Sequence, residues 1–299
     1  MAKFKLNRKF QNLLMVILLI LGVGILIYPD IADWWHSNQH ASLLQEYDAN
    51  VALMEAETIA HELERAQIFN DGLSGIHIED PFVPGSGSVM SHEYYSILNF
   101  DGVMGRIEIP EIGVSLPIFH GTSDQVLERG VGHMENTPFP IGGYGNHAIL
   151  TGHTGMVNMR LFTDLYRLRL GESKFFVQVL DHRIAYQVDS IDIVLPHEIE
   201  ILYSDPNRDW ITLVTCTPYG VNSHRLLVRG HRIEYIEGMG DEIPDVTTPI
   251  SVRVMIVIGF SFVFILIIWF YSRKKNKITQ DRRFNKQIEQ EYEALHKKT

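Results

Sequence analysis

The residue whose side chain is best suited to catalysis is Cys216, the single cysteine among 299 residues. It ends an apolar run, ITLVTC, and is followed by the polar, turn-forming stretch TPYGVNSH. A lone buried cysteine often acts only as a small hydrophobic residue. A nucleophilic cysteine, in contrast, needs a cationic or proton-accepting neighbour that populates its thiolate. Cys216 is therefore either a packing residue or a nucleophile, and the choice depends on its neighbours.

Arg225 is the first candidate neighbour, because it follows Cys216 by nine residues and begins the next apolar run, RLLVRG. Pro218 and Gly220 favour a turn between the two runs, which are therefore predicted to form neighbouring strands. The end of one strand and the start of the next then lie at the same rim. An arginine there can donate hydrogen bonds to the oxyanion that forms during acyl transfer. The alternative is an arginine that faces solvent from a strand.

A general acid or base is harder to choose, because the chain has 14 histidines. His153 follows the strand-like run HAILTG and lies between Gly152 and Gly155, so it is predicted to emerge from a strand end into a loop. An imidazole there can take up the thiol proton and later protonate a leaving amine. His147, at the other end of the run, is expected to be structural. Three further histidines remain open as loop candidates: His120, His133 and His224.

The sequence contains no pattern typical of a metal or cofactor site. There is no H-E-x-x-H, no Cys/His ligand spacing and no phosphate-binding GxxxxGK or GxGxxG. One cysteine also leaves no possibility of an intrachain disulfide. We therefore expect neither a metal nor a cofactor.

The elements that must position these residues are mostly strands between residues 98 and 235. Seven segments there are rich in β-branched residues, alternate between apolar and polar, and are separated by Gly, Pro and Asp turns. Short helical signals lie near 123–129 and 160–166. Seven or eight strands over about 140 residues predict a mainly β domain, a closed or nearly closed barrel with small inserted helices. The segments are GRIEI (105–109), VSLPIF (114–119), HAILTG (147–152), KFFVQVL (174–180), RIAYQVDSIDIVL (183–195), ITLVTC (211–216) and RLLVRGHRIEY (225–235).

Two segments precede the predicted barrel. Residues 30–72 have apolar residues at three- and four-residue spacing and end in Asn-Asp-Gly, which predicts a stalk of one long or two short helices. Residues 73–97 are rich in Gly, Pro and Ser and are predicted to form a loop around Asp80-Pro81-Phe82. On composition alone this loop is a plain linker. After the barrel, residues 236–253 are predicted to form a second linker.

Two apolar segments, 13–29 and 254–271, are predicted to be transmembrane helices. Residues 1–12 and 272–299 are basic, so the positive-inside rule predicts that both ends are cytoplasmic and that the domain between the two segments is extracellular. The alternative for the first segment is a cleaved signal peptide, although no small-residue cleavage pattern follows it. Residues 13–271 contain 13 basic and 32 acidic residues, a balance that argues against nucleic-acid binding.

These residues together resemble those of the sortases, the membrane-anchored cysteine transpeptidases of Gram-positive bacteria. TLVTC (212–216) matches the family's TLxTC motif, and TGH (151–153) supplies its histidine. Arg225 completes a His-Cys-Arg triad. The resemblance covers roughly residues 98–235 and implies the eight-stranded sortase barrel.

Within that family the chain looks like class C, the pilin-polymerising type. The stretch CTPYGVNSHRLLVRG resembles that class, and so does a second anchor at the C-terminus. Asp80-Pro81-Phe82 matches the class C lid motif D-P-F/W. The resemblance implies that Asp80 lies against Arg225 and that Phe82 covers Cys216.

The resemblance also implies a reaction. Cys216 is expected to attack the Thr–Gly carbonyl of an LPxTG-like sorting signal, while His153 handles the protons and Arg225 stabilises the oxyanion. A lysine amine of another pilin subunit then resolves the thioacyl enzyme. Thr215, just before the cysteine, is expected to contact the substrate. The expected partners are pilin subunits and the membrane.

Three alternatives stay open on the sequence. A sortase that anchors proteins to the cell wall would use the amine of a peptidoglycan precursor as the acceptor. A non-enzymatic membrane-anchored adhesin or scaffold would keep Cys216 for packing. An unrelated cysteine protease is disfavoured, because the order His, Cys, Arg differs from the cysteine-first arrangement of papain-type enzymes.

Overall fold

The structure is a computed structural model that describes residues 8–73, 80–82, 91–156, 159–201, 205–240 and 254–267, with a few isolated positions between 269 and 288. The chain divides into two compact units, one formed by residues 1–31 with 249–299 and the other by residues 32–248. The second unit contains every residue of the predicted site.

The predicted anchor and the first part of the predicted stalk form one helix. Helix α1 runs over Arg8–Ala52 and contains Pro29. From Leu13 onwards it is long and apolar enough to cross a membrane, judged by length and composition. After an interruption at 53–55, helix α2 runs over Ala56–Gly72 and ends at the predicted Asn-Asp-Gly signal. The stalk therefore consists of two helices, and the first continues the apolar segment without a break.

The predicted loop 73–97 is described only in part. Its residues 74–79 and 83–90 lie outside the described residues, whereas Asp80, Pro81 and Phe82 lie within them. The end of the range differs from the prediction, because helix α3 runs over His92–Ser96. The Ser91 hydroxyl accepts a hydrogen bond from the Tyr94 amide and so caps the helix. Tyr94 is completely buried, which gives this short helix its stability in the core.

The barrel is closed and has eight strands, which confirms the predicted mainly β fold. The strand order is β1-β2-β3-β4-β7-β8-β6-β5, and β5 pairs with β1. The pairs β2–β3 and β4–β7 are parallel and the others are antiparallel. The strands are β1 (Val103–Ile109), β2 (Val114–His120), β3 (Val131–His133), β4 (His147–Thr151), β5 (Lys174–Val179), β6 (His182–Val194), β7 (Trp210–Thr217) and β8 (His224–Ile233).

The helices between the strands are short. Helix α4 runs over Asp124–Leu127, within the predicted helical segment 123–129. The second predicted segment, 160–166, contains turns and only the start of a 3₁₀ helix at Leu165–Arg167. Two more 3₁₀ helices lie at Pro110–Ile112 and Pro196–Ile201.

Alternation along β4, β7 and β8 produces two apolar clusters on opposite faces of the sheet. The inner face contributes Leu150, Leu213 and Val228 to the main core. The outer face carries a small second cluster, here called the outer patch, which also receives residues from outside these strands. The outer patch consists of Met134, Ile149, Val194, Val214 and Leu227.

The stalk packs into the barrel rather than standing apart from it. Tyr47 and Val51 of α1 and Ala66 of α2 are buried members of the main core. The Tyr47 hydroxyl donates to the Met104 carbonyl at 3.2 Å and accepts from the Leu180 amide at 2.6 Å. The stalk is therefore a structural part of the barrel unit.

The C-terminal apolar segment is helical over Val254–Ile267, and this described helix is shorter than a membrane span needs. Residues 241–253 and most of the predicted cytoplasmic tail, 272–299, lie outside the described residues, as do residues 1–7. The predicted second span and the position of both termini stay predictions.

Candidate active site

Cys216 and Arg225 lie directly opposite each other on paired strands. β7 and β8 are antiparallel, and their register places Cys216 against Arg225. Cys216 is two residues from Val214 and Arg225 is two residues from Leu227, so both side chains share the face of the outer patch. Opposed side chains of an antiparallel pair have Cβ atoms about 4.5–5.5 Å apart. The hairpin thus brings the thiol and the guanidinium to one place.

Both side chains are also buried. Cys216 is 8% exposed and Arg225 is 5% exposed. The alternative of a solvent-facing arginine is therefore wrong. Since a buried arginine keeps its charge and needs compensation, its partner matters.

The strand β4 brings His153 to the same rim. β4 runs parallel to β7, with Thr151 against Val214, so both strands end at one edge of the sheet. His153 lies two residues beyond Thr151, as Cys216 lies two residues beyond Val214. The His153 carbonyl accepts a hydrogen bond from the Phe162 amide at 3.1 Å, which fixes the start of the loop.

Gly152 allows this approach. A Cβ atom at position 152 would lie 2.8 Å from the Phe162 ring, closer than side chains pack. The Gly152 amide also donates to the Val214 carbonyl at 3.1 Å and extends the β4–β7 ladder by one bond. Any larger residue here would displace the loop that carries His153.

Asp80 neutralises Arg225 through a bidentate ion pair. The Arg225 Nε donates to Asp80 Oδ1 at 2.9 Å and Nη2 donates to Oδ2 at 2.6 Å. Nη1 donates instead to the backbone carbonyls of Asn222 and His224. Asp80 is 8% exposed, so the pair is shielded from solvent. The two N–H groups that Asp80 occupies are the ones turned away from the hairpin backbone.

Phe82 lies over the same rim. Its ring packs against the outer patch. The ring centroid is 5.7 Å from that of His153 and 5.1 Å from the Arg225 guanidinium carbon. Asp80 and Phe82 therefore contact two of the three predicted triad residues, and together they enclose the site.

The enclosed site favours neutral sulfur and neutral imidazole. Burial raises the pKa of the Cys216 thiol to about 11; the Arg225 charge opposes this shift and the Asp80 carboxylate adds to it. Burial lowers the pKa of His153, partly offset by the carboxylates of Asp124 and Glu128. The closed arrangement therefore holds the nucleophile protonated.

Thr215 is placed differently from the sequence-based expectation of a substrate contact. It alternates with Cys216 and therefore points to the inner face of the sheet, where it is 2% exposed. Its hydroxyl donates to the Gly152 carbonyl at 2.7 Å. This bond ties β7 to the loop of His153, so the hydroxyl is positioned to orient that loop.

The remaining histidines divide between structure and surface. His133 is fully buried with the Tyr94 hydroxyl 2.9 Å from its Nδ1, and His120 Nε2 bonds the Ile97 carbonyl. His147 Nε2 bonds the Thr212 hydroxyl at 2.7 Å, consistent with the structural role predicted for it. Within the described ranges, no group of three or more His, Cys, Asp or Glu side chains is arranged to hold a metal ion.

Three residues near the site were not predicted: Thr151, Asp124 of α4, and Glu128 directly after that helix. Asp124 and Glu128 act electrostatically on His153 although they are 29 and 25 positions earlier in the chain. Nothing in the local sequence indicates that contact. Thr151 does have a signal, because alternation along HAILT places it on the same face as Ile149 of the outer patch.

Comparison with known proteins supports this geometry. A model of the sortase domain matches residues 107–233. Sortase A of Streptococcus agalactiae is 33% identical over 119 residues, which cover 38% of this chain and 47% of that protein. The chain spans about half the length of this curated relative.

Solved structures match over nearly their full length. The crystal structure of sortase C-1 from Actinomyces oris is 43% identical, with a TM-score of 0.57, and the match covers 60% of this chain and 99% of that one. This chain belongs to the sortase family. A pilus-related sortase C of Group B Streptococcus is 41% identical, with a TM-score of 0.60, covering 64% of this sortase and 97% of the solved chain. The predicted class C membership is thereby confirmed, and the apolar N-terminal helix fits the membrane anchoring of sortases.

Proposed function

We propose that this chain is a membrane-anchored cysteine transpeptidase that polymerises pilin subunits. It cleaves an LPxTG-like sorting signal between Thr and Gly and joins the acyl group to a lysine amine of another subunit. The observation that carries this proposal is the register of β7 and β8, which opposes Cys216 and Arg225 at the rim to which β4 delivers His153. The similarity to class C sortases supports it.

The proposed reaction has two halves. In the first, the Cys216 sulfur gives its proton to His153 and attacks the Thr carbonyl, so that a C–S bond forms and a tetrahedral oxyanion develops. The oxyanion accepts hydrogen bonds from Arg225. The C–N bond to Gly then breaks, and the leaving amine takes the proton from His153. In the second half a neutral lysine amine attacks the thioester and forms an isopeptide bond. Its nitrogen gives one proton to neutral His153, the C–S bond breaks, and the departing sulfur takes that proton to restore the thiol.

The Asp80–Phe82 segment serves as a lid in this proposal. Asp80 occupies the Nε and Nη2 donors of Arg225, which the oxyanion needs. Phe82 adds apolar cover, and burial is the largest influence that raises the thiol pKa. Departure of the segment frees both donors, admits water or substrate and lowers the thiol pKa. Lid opening is therefore the activating step.

The proposed location is the cell membrane, with the catalytic unit outside and both termini in the cytoplasm. The apolar part of α1 supports the first anchor. The second anchor, 254–271, rests on the composition of that segment and on the basic residues that follow it. This topology is tested with two variants that lack Cys216 and carry one cysteine, at residue 5 or at residue 290. Each variant is treated in whole cells with a membrane-impermeant thiol reagent. Labelling at either position in intact cells refutes it.

The activity is tested with the full chain in detergent, a pilin subunit that ends in an LPxTG-like signal, and the variants Cys216→Ala and Thr212→Val. Covalent ladders with wild type and with Thr212→Val, and none with Cys216→Ala, are expected on denaturing gels. Cleavage without ladders, but with transfer to a peptidoglycan-precursor amine, would show a cell-wall-anchoring enzyme instead. Ladders that persist with Cys216→Ala would refute a cysteine nucleophile.

A further inference from the structure

The Thr151 hydroxyl is a buried polar group without a partner. Thr151 is 0% exposed, and its Oγ1 has no hydrogen-bond partner in the part of the chain that the structure describes. A buried hydroxyl normally finds one. Thr215, on the neighbouring strand β7, donates a hydrogen bond from its hydroxyl to the Gly152 carbonyl. The exception at Thr151 therefore calls for a physical reason.

The register of β4 and β7 locates this hydroxyl relative to the nucleophile. Thr151 pairs with Val214, and Cys216 is the next residue of β7 on the same face. Ile149, two residues before Thr151, belongs to the outer patch. Thr151 thus lies beside Cys216 on the face that Phe82 covers, at the end of β4 that leads into His153.

The lid leaves this hydroxyl unsatisfied. The polar groups of Asp80 are directed to Arg225, and Phe82 presents an apolar ring to the outer patch. An extended peptide on the same face presents main-chain N–H and C=O groups at every residue. It can therefore supply the hydrogen bond that the closed lid does not.

We infer that the Thr151 hydroxyl hydrogen-bonds the main chain of the acyl-donor peptide next to the scissile carbonyl. The inference rests on the proposed function, because it assigns a contact of that same site. Thr151 is then a substrate-binding residue that acts before the thioester forms. It favours peptide over lid, since only the peptide satisfies the hydroxyl.

The test compares Thr151→Val, which keeps the shape and removes the hydroxyl, with Thr151→Ser, which keeps the hydroxyl. Both are made in the full chain that also carries Asp80→Ala and Phe82→Ala, here called the lid-open parent. Thr212→Val is the matched control, because Thr212 lies on the same face of β7 and its hydroxyl is bonded to His147. The measurements are kcat/KM for an LPxTG peptide, the reaction rate of Cys216 with a small disulfide reagent, and the melting temperature.

The hydroxyl contact predicts a specific pattern. Thr151→Val lowers kcat/KM about tenfold, the value of one hydrogen bond of ordinary strength, while the reaction of Cys216 with the reagent stays as in the lid-open parent. Thr151→Ser keeps kcat/KM within about threefold. In the chain with its native lid, the melting temperature rises with Thr151→Val, because a buried, unsatisfied hydroxyl is removed, and falls with Thr212→Val, because a satisfied one is lost.

Three outcomes would overturn the inference. The first is an unchanged kcat/KM in Thr151→Val. The second is an equal loss in peptide turnover and in reagent reactivity, which would show an effect on Cys216 alone. The third is a lowered melting temperature for Thr151→Val in the chain with its native lid, which would show that the hydroxyl already has a partner in the closed enzyme. Absence of peptide cleavage by the lid-open parent itself refutes the proposed function, and a loss confined to Thr151→Val leaves that function intact.

Discussion

Removing the lid side chains should make Cys216 react faster with a thiol reagent. The double variant Asp80→Ala and Phe82→Ala deletes the carboxylate paired with Arg225 and the ring that packs on the outer patch. Loss of the ring exposes the sulfur to water, and loss of the carboxylate removes a negative charge near it. Both changes lower the thiol pKa, because burial and Asp80 raise it in the closed site.

The size of the effect follows from the thiolate population. At about pH 7.5, a thiol with a pKa of about 11 is ionised in about one molecule in 3,000. An unperturbed cysteine, with a pKa of about 8.5, is ionised in about one molecule in ten. The thiolate population therefore rises about 300-fold if the lid shift is lost entirely. A less basic thiolate is also a weaker nucleophile, by about tenfold over this range, so the net gain is about 30-fold.

The assay is the rate of disulfide exchange between Cys216 and a small aromatic disulfide, followed by the absorbance of the released thiol. Because this is the only cysteine of the chain, the signal has one source. Asp189→Ala is a matched control: Asp189 pairs with Arg229 of the same strand β8 at 2.8 Å, but that pair is less buried. We expect this control to react at the wild-type rate.

A lid variant that reacts within about twofold of wild type would refute this reasoning, because the closed segment would then neither shield the sulfur nor hold its proton. The single variants separate the two causes. Burial is the larger influence on the thiol, so Phe82→Ala should accelerate the reaction more than Asp80→Asn.

Two further predictions concern stability. His133 is fully buried and its pKa is lowered to about 3 by burial, so the unfolded state binds one more proton between that value and the ordinary 6.5. The free energy of unfolding is therefore unaffected by His133 above about pH 6.5 and falls by about 1.4 kcal/mol per pH unit below it. His133→Gln should remove this pH dependence, which is measured by urea unfolding at about pH 4 and pH 7. An unchanged slope would assign the acid sensitivity to other groups. Tyr47→Phe deletes a buried hydroxyl that bonds both Met104 and Leu180, and should lower the free energy of unfolding by about 1–3 kcal/mol. Tyr28→Phe, an exposed tyrosine of the same helix, is the control, and equal effects of the two variants would argue against the Tyr47 bonds.

The strands that a sequence predicts well are those with alternation and clear turns. β7 and β8 were predicted with their shared rim because TPYGVNSH, with Pro218 and Gly220, separates two apolar runs. The three-residue strand β3 was missed, because Val131-Gly132-His133 is too short to alternate and contains a glycine. Helix α3 was missed inside a glycine- and proline-rich range, since its stability comes from the burial of Tyr94 and not from local propensity.

Contacts between distant segments were not accessible from patterns in the chain. Asp80 and Arg225 are 145 positions apart, and their pairing was expected only from the resemblance to class C sortases. The helical pattern of the stalk predicted an apolar face but not what it packs on. The orientation of Thr215, in contrast, was accessible from the sequence, because alternation with Cys216 already directs its side chain to the inner face of the sheet.

Under the proposed function, the ion pair of Asp80 with Arg225 affects which acyl donors can react. The lid is a competitor attached to the same chain, and a short tether gives such a competitor an effective concentration of about millimolar. A dilute soluble peptide competes poorly with it. A substrate anchored in the same membrane as the apolar helix α1 is itself locally concentrated, so it competes with the lid at a similar effective concentration. We therefore expect the proposed lid to distinguish acyl donors by where they are tethered as well as by their sequence.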